Sequence, residues 1–500
     1  MLPADAPSPW IARRSQLAIN TRPAIVAEDG ALTHQELALR AGMVAAALLA
    51  GRRSLQGEAV ALLARPSCTW VAGFLGILEA GGVAVPLSSH YTDREILYIL
   101  QDAEVKVLLV DGAHVRTVGL SGVRCLTLED LPMGGAPPAS CTAGDRALML
   151  YTSGTTGKPK GVVLTHQNLE AQTRLLGEAW RISETDRLLH ALPLHHMHGV
   201  VIALLTTLQS GGSTELLPRF DPMAVWDGFA RSTVWMGVPT MYHKLLDAFE
   251  QAPEEVRRRW REGARGLRLA TSGSAALPAT LATRWEVIAG VVPLERFGMT
   301  ELGVALTNPL DGERKVGSVG RPLSGVEVQV VDEEGRLVAP GEPGEIVVRG
   351  PTVFAGYHRR GDATREAFRG GWFCTGDTAT LDQEGYVRIL GRTSVDILKS
   401  GGYKLSALEI EEALGEHPGV GEVAVVGLPD EAWGQRVVAA VVPRSSWTQR
   451  MTGEELRAFC RERLASYKVP KQILLTEELP RNAMGKIVKQ ALVERLRSQG

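Results

Sequence analysis

An apolar run too short to be a helix, Glu58-Ala-Val-Ala-Leu-Leu-Ala, is followed by helical spacing over residues 69–80 and then by Gly81-Gly82-Val-Ala-Val-Pro-Leu. Strand, helix and strand in that order form a crossover, which is how parallel strands are joined. The alternation recurs at residues 104–110, 146–151 and 232–238. It predicts parallel sheets flanked by helices, an α/β class, and excludes an all-α fold. Thr33 followed three residues later by Glu36 announces a helix over residues 32–50.

From about residue 323 the texture changes to period-2 runs split by glycines, which predicts a smaller antiparallel sheet or barrel-like part. After Gly391-Arg392 a helix at 408–414, strands at 422–427 and 436–442, a helix at 453–464 and a strand at 472–475 predict a compact α+β unit. A boundary near 391 therefore divides the 500 residues into a large part, 1–391, and a smaller one, 392–500. Formal charge is −2, from 54 Lys and Arg against 56 Asp and Glu, so no whole-chain field favours nucleic acid or an anionic membrane. No apolar run reaches the length of a membrane span. Five dispersed cysteines, with no C-x-x-C pair, fit reduced thiols. The opening residues have no charged region leading into an apolar one, and a cytoplasmic location is expected.

The densest chemical signal is Tyr151-Thr-Ser-Gly-Thr-Thr-Gly-Lys-Pro-Lys-Gly161. Its glycines let backbone N–H groups converge, its hydroxyls add donors, and Lys158 and Lys160 supply charge, as a polyphosphate cradle requires. It is not a Walker A loop, because Pro159 stands where Gly-Lys is needed. The stretch resembles the phosphate loop of the acyl-adenylate-forming superfamily, which includes acyl-CoA synthetases, adenylation domains and luciferases. Further blocks resemble that superfamily in order: residues 73–86, Leu192-Pro-Leu-His-His, Gly298-Met-Thr-Glu301, Gly371-Trp-Phe-Cys-Thr-Gly-Asp377, Gly391-Arg392 and Pro480-Arg-Asn-Ala-Met-Gly-Lys486. The likeness runs from about residue 20 to 490. It implies a large N-terminal domain and a smaller, mobile C-terminal one. It also implies an enzyme that joins a carboxylate to AMP, releases pyrophosphate, and passes the acyl group to a thiol, with ATP, Mg²⁺ and coenzyme A as its small molecules.

Site residues follow from the same resemblance. Thr152, Ser153, Gly154, Thr155, Thr156, Gly157, Lys158 and Lys160 would hold phosphates. Thr156 and Glu301 would hold Mg²⁺, a cation that takes oxygen ligands. Phe297, Gly298, Met299, Thr300 and Ser274 would border the nucleotide, Asp377 would accept the ribose hydroxyls, Arg392 would lie beside them, and Lys486 would bridge carboxylate and α-phosphate. In Ser272-Gly-Ser-Ala-Ala-Leu-Pro278 small residues suit a wall for a flat adenine, or Ser274 caps a helix. Gly401, Gly402 and Lys404 would admit the pantetheine arm of coenzyme A, or form a plain turn. The hinge of such enzymes follows the Gly-Arg pair; within residues 393–396 the residue is left open.

Arg296, two places before Gly298, bears on the acid. A guanidinium beside an acyl cavity either pairs with Glu295 or another neighbouring acid, or faces an anionic substrate group. In the second case His196, His198, Ser274 and Lys244 would join it around a short dicarboxylate, which Arg grips with two parallel bonds. These blocks look like malonyl-CoA synthetases, including the mitochondrial type that also takes methylmalonate. Loading of a carrier protein, or a luciferase-like oxygenation, uses the same fold. A monomer or weak homo-oligomer is expected.

Overall fold

The computed structural model describes residues 3–114, 122–130, 134–152, 159–400, 403–430, 433–448, 450–481 and 487–498. The chain forms two compact units, one of residues 1–328 with 348–373, the other of residues 329–347 with 374–500. By packing, residues 329–347 and 374–391 therefore group with the C-terminal residues.

The first unit holds two large sheets. One has the strand order Gly356–Tyr357, Lys160–Thr165, Arg146–Thr152, Val83–Pro86, Ala59–Leu63, Val107–Val110, Arg124–Thr127. From Arg146–Thr152 to the Arg124–Thr127 edge its pairs are parallel, and the other two are antiparallel. Every residue of Ala59–Leu63 is buried, as a strand covered on both faces must be. The predicted crossover is present. Ser67 caps helix Cys68–Glu79 by accepting the Trp70 N–H, and the chain then turns at Gly81 with φ +73°. A Cβ on Gly82 would lie 2.8 Å from Leu55 Cδ1, so this turn has no room for a side chain at its second position.

The other sheet has nine strands, in the order Arg321–Pro322, Gly303–Thr307, Leu294–Met299, Leu269–Ser272, Val234–Gly237, Arg187–His190, Ser213–Leu216, Pro23–Ala27, Gly30–Thr33. Strands Leu294–Met299 through Pro23–Ala27 run parallel. The helix announced by Thr33 and Glu36 is His34–Leu49, with both bonds of the capping box formed. Only 5% of the chain is aromatic, yet much of it gathers under this sheet. The Trp226 ring stacks 5.6 Å from Trp260 and 5.7 Å from Trp285, with Phe229 and Phe249 each at 5.3 Å. Trp226 Nε1 donates to the Leu245 carbonyl at 2.8 Å, so its one polar atom is satisfied.

Strands Glu327–Val331, Gly344–Arg349, Trp372–Leu381, Phe368–Arg369 and Val387–Arg392 form the expected smaller sheet, through which the chain passes between units. The second unit is built on Tyr403–Ser406, Ile397–Ser400, Gly434–Pro443, Val420–Asp430 and Gln472–Leu475. Its period-2 strands separate two cores. Val425, Val437, Ala439 and Val441 pack with Ile410, Leu414 and Leu456. Ala424, Val426, Val438 and Ala440 pack with Leu479 and Leu492. The sequence reading had the sheet and its first two helices but missed the Ile397–Ser400 hairpin and helix Lys489–Ser498.

Trp226→Ala removes the ring at the centre of the aromatic cluster. It should lower unfolding free energy by about 3 to 5 kcal/mol, measured by denaturant titration, as for other buried large-to-small changes.

Candidate active site

In the first unit the two described ends of the phosphate-loop motif lie on paired antiparallel strands, with Thr152 opposite Lys160 and Tyr151 opposite Gly161. A P-loop would instead lead from a strand into a helix. Ser153, Gly154, Thr155, Thr156, Gly157 and Lys158 lie outside the described residues. Lys160 Nζ stands 5.3 Å from the centroid of the Tyr357 ring, and the Tyr357 hydroxyl donates to Glu301 Oε1 at 3.0 Å. The Phe354 N–H donates to the Glu301 carbonyl at 2.8 Å. Glu301 is 6% exposed, so Tyr357 holds its buried carboxylate and Phe354, on the same segment, holds its backbone. Tyr357 had no signature that singled it out in the sequence.

The loops after Arg187–His190 and Leu269–Ser272 leave the same edge of the nine-stranded sheet, because both strands run parallel to Val234–Gly237 between them. Carboxyl ends of parallel strands are where ligands bind in open α/β sheets. Here the two loops bring His198 and Ser274 together, with Ser274 Oγ 3.3 Å from His198 Nδ1. Ser274 has φ +70°, a left-handed conformation that turns the chain sharply after the strand.

Arg296 is on the adjacent strand Leu294–Met299 and is 3% exposed. Side chains alternate along a strand, so Glu295 points to the other face, where its Oε1 accepts the Gly317 N–H at 3.0 Å. No ion pair forms between them. Arg296 Nε and Nη2 are buried without a hydrogen-bond partner. A Cβ on Gly273 would come 2.4 Å from Arg296 Cζ. Gly273 thus leaves room for the flat Arg296 guanidinium against its backbone. Burial pushes the Arg296 pKa down to about 10, leaving it charged at neutral pH.

Burial, and after it the Arg296 charge, hold His198 well below the usual histidine range, so its ring is neutral. Its Nε2 is also buried without a partner. Below it His190 accepts the Leu192 N–H at Nδ1, 3.1 Å, and donates from Nε2 to the Gly199 carbonyl, 3.0 Å. Those bonds fix one tautomer and brace the loop. Gly199 is the second residue of a buried π-helix, His198–Leu205, and a Cβ there would lie 2.1 Å from the Pro193 carbonyl oxygen. Neither His190 nor the π-helix was foreseen.

Other expected residues fall variously. His196 is half-buried with its ring 4.2 Å from His195. Phe297, Gly298, Met299 and Thr300 are half-buried along and just beyond the Arg296 strand. Lys244 is exposed on helix Pro239–Gln251 and makes no bond to Arg296; the inward residue of that turn is Tyr242, whose hydroxyl donates to the Thr271 carbonyl at 2.9 Å.

In the second unit Asp377 and Arg392 are directly opposite on paired strands, with Arg392 Nε 3.1 Å from Asp377 Oδ1. Arg392 Nη1 also donates to the Thr375 carbonyl at 2.6 Å. Gly401, Gly402 and Lys486 lie outside the described residues, and of Lys404 only the backbone is described, paired with Lys399. Residues flanking Lys486 are described: Arg481 and Ile487 form a β-bridge, and the Val488 N–H donates to the Pro480 carbonyl at 2.8 Å.

Two helix-flanked sheets, antiparallel strands flanking the phosphate-loop motif and a smaller α+β C-terminal part are the architecture of the adenylate-forming class of enzymes. Residues 14–358 match the AMP-binding enzyme family and residues 409–486 match its C-terminal domain, so the chain belongs to that family. It is 41% identical to the malonate–CoA ligase of Arabidopsis thaliana, over 90% of this chain and 80% of that one. It is 40% identical to the mitochondrial malonate–CoA ligase of Homo sapiens, over 95% of this chain and 90% of that one. Among solved structures it resembles ATP-bound MatB from Rhodopseudomonas palustris, with TM-score 0.90, 37% identity and 99% of each chain covered.

His190 yields a pH test. Burial lowers its pKa from 6.5 to about 4, so between those values the unfolded chain takes up a proton there that the folded chain does not. That contribution reduces stability as pH falls. In His190→Asn it is gone, and the unfolding midpoint should fall less steeply from pH 6.5 to 4 than in the parent protein.

Proposed function

We propose that the protein is an ATP-dependent malonate–CoA ligase that forms malonyl-CoA through malonyl-AMP. The observation that supports this reading is the Arg296 guanidinium, charged, buried and, among the described residues, without an acid that pairs with it. An unpaired buried charge costs several kcal/mol, and a substrate carboxylate removes that cost where a lipid tail would not. A neutral His198 and the Ser274 hydroxyl add donors or acceptors without adding charge.

In the first step a malonate carboxylate oxygen attacks the α-phosphorus of ATP, and pyrophosphate leaves. In the second the coenzyme A thiol attacks the acyl carbon and AMP leaves. Arg296, with His198, Ser274 and His196, would hold the distal carboxylate so that the reacting one faces the phosphate. Hydroxyls and N–H groups of residues 152–157, with Lys158 and Lys160, would take the phosphates. Phe297, Gly298, Met299 and Thr300 would line the nucleotide. Asp377, kept in place by Arg392, would accept the ribose hydroxyls, and Lys486 would offset charge at the α-phosphate. Mg²⁺ on ATP needs only one or two protein carboxylates, and the buried Glu301 is of that kind, with Thr156 as its expected partner. Among the described residues no group of three or more His, Cys, Asp or Glu gathers, so a protein-built metal cage is not part of this reading. Gly401, Gly402 and Lys404 would border the pantetheine arm in the second step, after the part beyond residue 391 turns about residues 393–396.

None of the described helices is long and apolar enough to cross a membrane. A cytoplasmic place of work and a monomer or weak homo-oligomer belong to the proposal. All five cysteines are free thiols, which is compatible with a reducing compartment.

Pyrophosphate release with acetate, malonate, methylmalonate and succinate tests the acid, and malonate should exceed acetate and succinate. Arg296→Ala should cost malonate about 2 to 5 kcal/mol in kcat/KM, as for a broken buried pair. Unchanged malonate kinetics in that variant would refute the carboxylate reading. Lys486→Ala should lose adenylate formation but retain thioester formation from supplied malonyl-AMP; equal loss of both would remove its assigned role.

A further inference from the structure

Three charged side chains from distant stretches of the second unit meet below the surface. Lys489 Nζ is 2.5 Å from Asp396 Oδ1 and 2.7 Å from Glu411 Oε1. Their side chains are 12%, 13% and 16% exposed, respectively. Glu411 Oε1 also accepts the Val425 N–H at 2.7 Å, which anchors it to the sheet. Asp396 is tied at its other oxygen, where Oδ2 accepts the Arg392 N–H at 3.0 Å. The turn is closed further by the Asp396 N–H donating to the Arg392 carbonyl at 2.7 Å. Gly391 permits this, since a Cβ there would lie 2.4 Å from Asp396 Cβ.

Neither helix formation nor burial explains Lys489. It is the first residue of helix Lys489–Ser498, where the positive end of the helix dipole opposes a cation. A largely buried ion cluster is also seldom more stabilising than apolar packing would be. What the cluster does is join two places. One is the turn after Gly391-Arg392, whose arginine holds Asp377. The other is the C-terminal stem of the loop that carries Lys486, three residues before Lys489 and closed at its base by the Arg481–Ile487 bridge. Arg481 is itself paired with Glu422 at 2.6 Å, so both sides of the stem are held by charge.

We propose that Asp396 and Lys489 are positioning residues that lock the stem of the Lys486 loop to the turn after Arg392, so that their pairing supports adenylation and is dispensable for thioester formation. This rests on the ligase reading and on the role given there to Lys486. The lysine supplies no atom to the reaction. Its contribution is to tie the described residues that follow Lys486 to the turn whose arginine holds Asp377, since a misplacement of about 1 Å can cost about a hundredfold in rate.

The test uses the full chain and measures two half-reactions separately: malonate-dependent exchange of pyrophosphate into ATP, and malonyl-CoA formation from supplied malonyl-AMP. Lys489→Met and Asp396→Asn should each lower the exchange kcat about tenfold or more, with KM for ATP and malonate nearly unchanged and the thioester step altered less than about threefold. Lys489→Arg, which keeps the charge, should restore most of the exchange. Glu411→Gln leaves the Asp396 contact in place and should lower thermal stability without changing the ratio of the two half-reactions. Exchange close to parental in Lys489→Met, a proportional fall of both half-reactions, or failure of Lys489→Arg to rescue overturns the inference. Should Lys489→Met not fold, the near-isosteric Asp396→Asn decides by the same ratio. Absence of malonate-dependent exchange in the parent protein overturns the ligase reading instead, and is distinguishable because no variant is involved.

Discussion

A guanidinium without a counter-charge, pressed against the backbone of Gly273, is the constraint on which the first unit's site depends. Arg296 reaches that position because alternation along its strand sends it inward and Glu295 outward. It stays there because Gly273 has no side chain to displace it. It remains charged because its intrinsic affinity for the proton is high enough to survive burial. His198 is neutral for the complementary reason: an imidazole gives up its proton readily when buried beside a cation. The result is a buried cation beside a neutral imidazole.

The rest of that unit holds these groups in place. Parallel strands deliver the loops after His190 and Ser272 to one edge of a sheet, and the π-helix that begins at His198 is anchored by His190 and Gly199. Glu301 follows the Arg296 strand by two residues and is held by Tyr357, over whose ring Lys160 lies. Arg296, Glu301, Tyr357 and Lys160 are therefore linked by one strand and a short series of contacts. Positioning of this kind is what a reaction dominated by charge at phosphorus requires.

The second unit uses charge differently. Three of its described cations are paired: Arg392 with Asp377, Lys489 with Asp396 and Glu411, Arg481 with Glu422. Among the described residues Arg296 Nε and Nη2 are left without a partner, whereas these pairs are satisfied internally and fix geometry. Buried pairs contribute little net stability but penalise alternative arrangements, because separating the partners leaves a charge unpaired.

Much was legible in the residue order. Crossovers, capping boxes and period-2 strands follow from local sterics and hydrophobic periodicity, so the parallel sheets, helix His34–Leu49 and the C-terminal α+β unit could be read directly. So could the family, through motifs whose spacing spans most of the chain. What linear order could not decide was pairing at a distance. Whether Arg296 meets Glu295 or packs against Gly273 depends on which face of the sheet is covered, and that Lys489 closes on Asp396 and Glu411 depends on how three separated segments pack. Local preferences act over a few residues, whereas the partners of a buried charge are chosen by the whole fold, which must solvate it once water has been excluded.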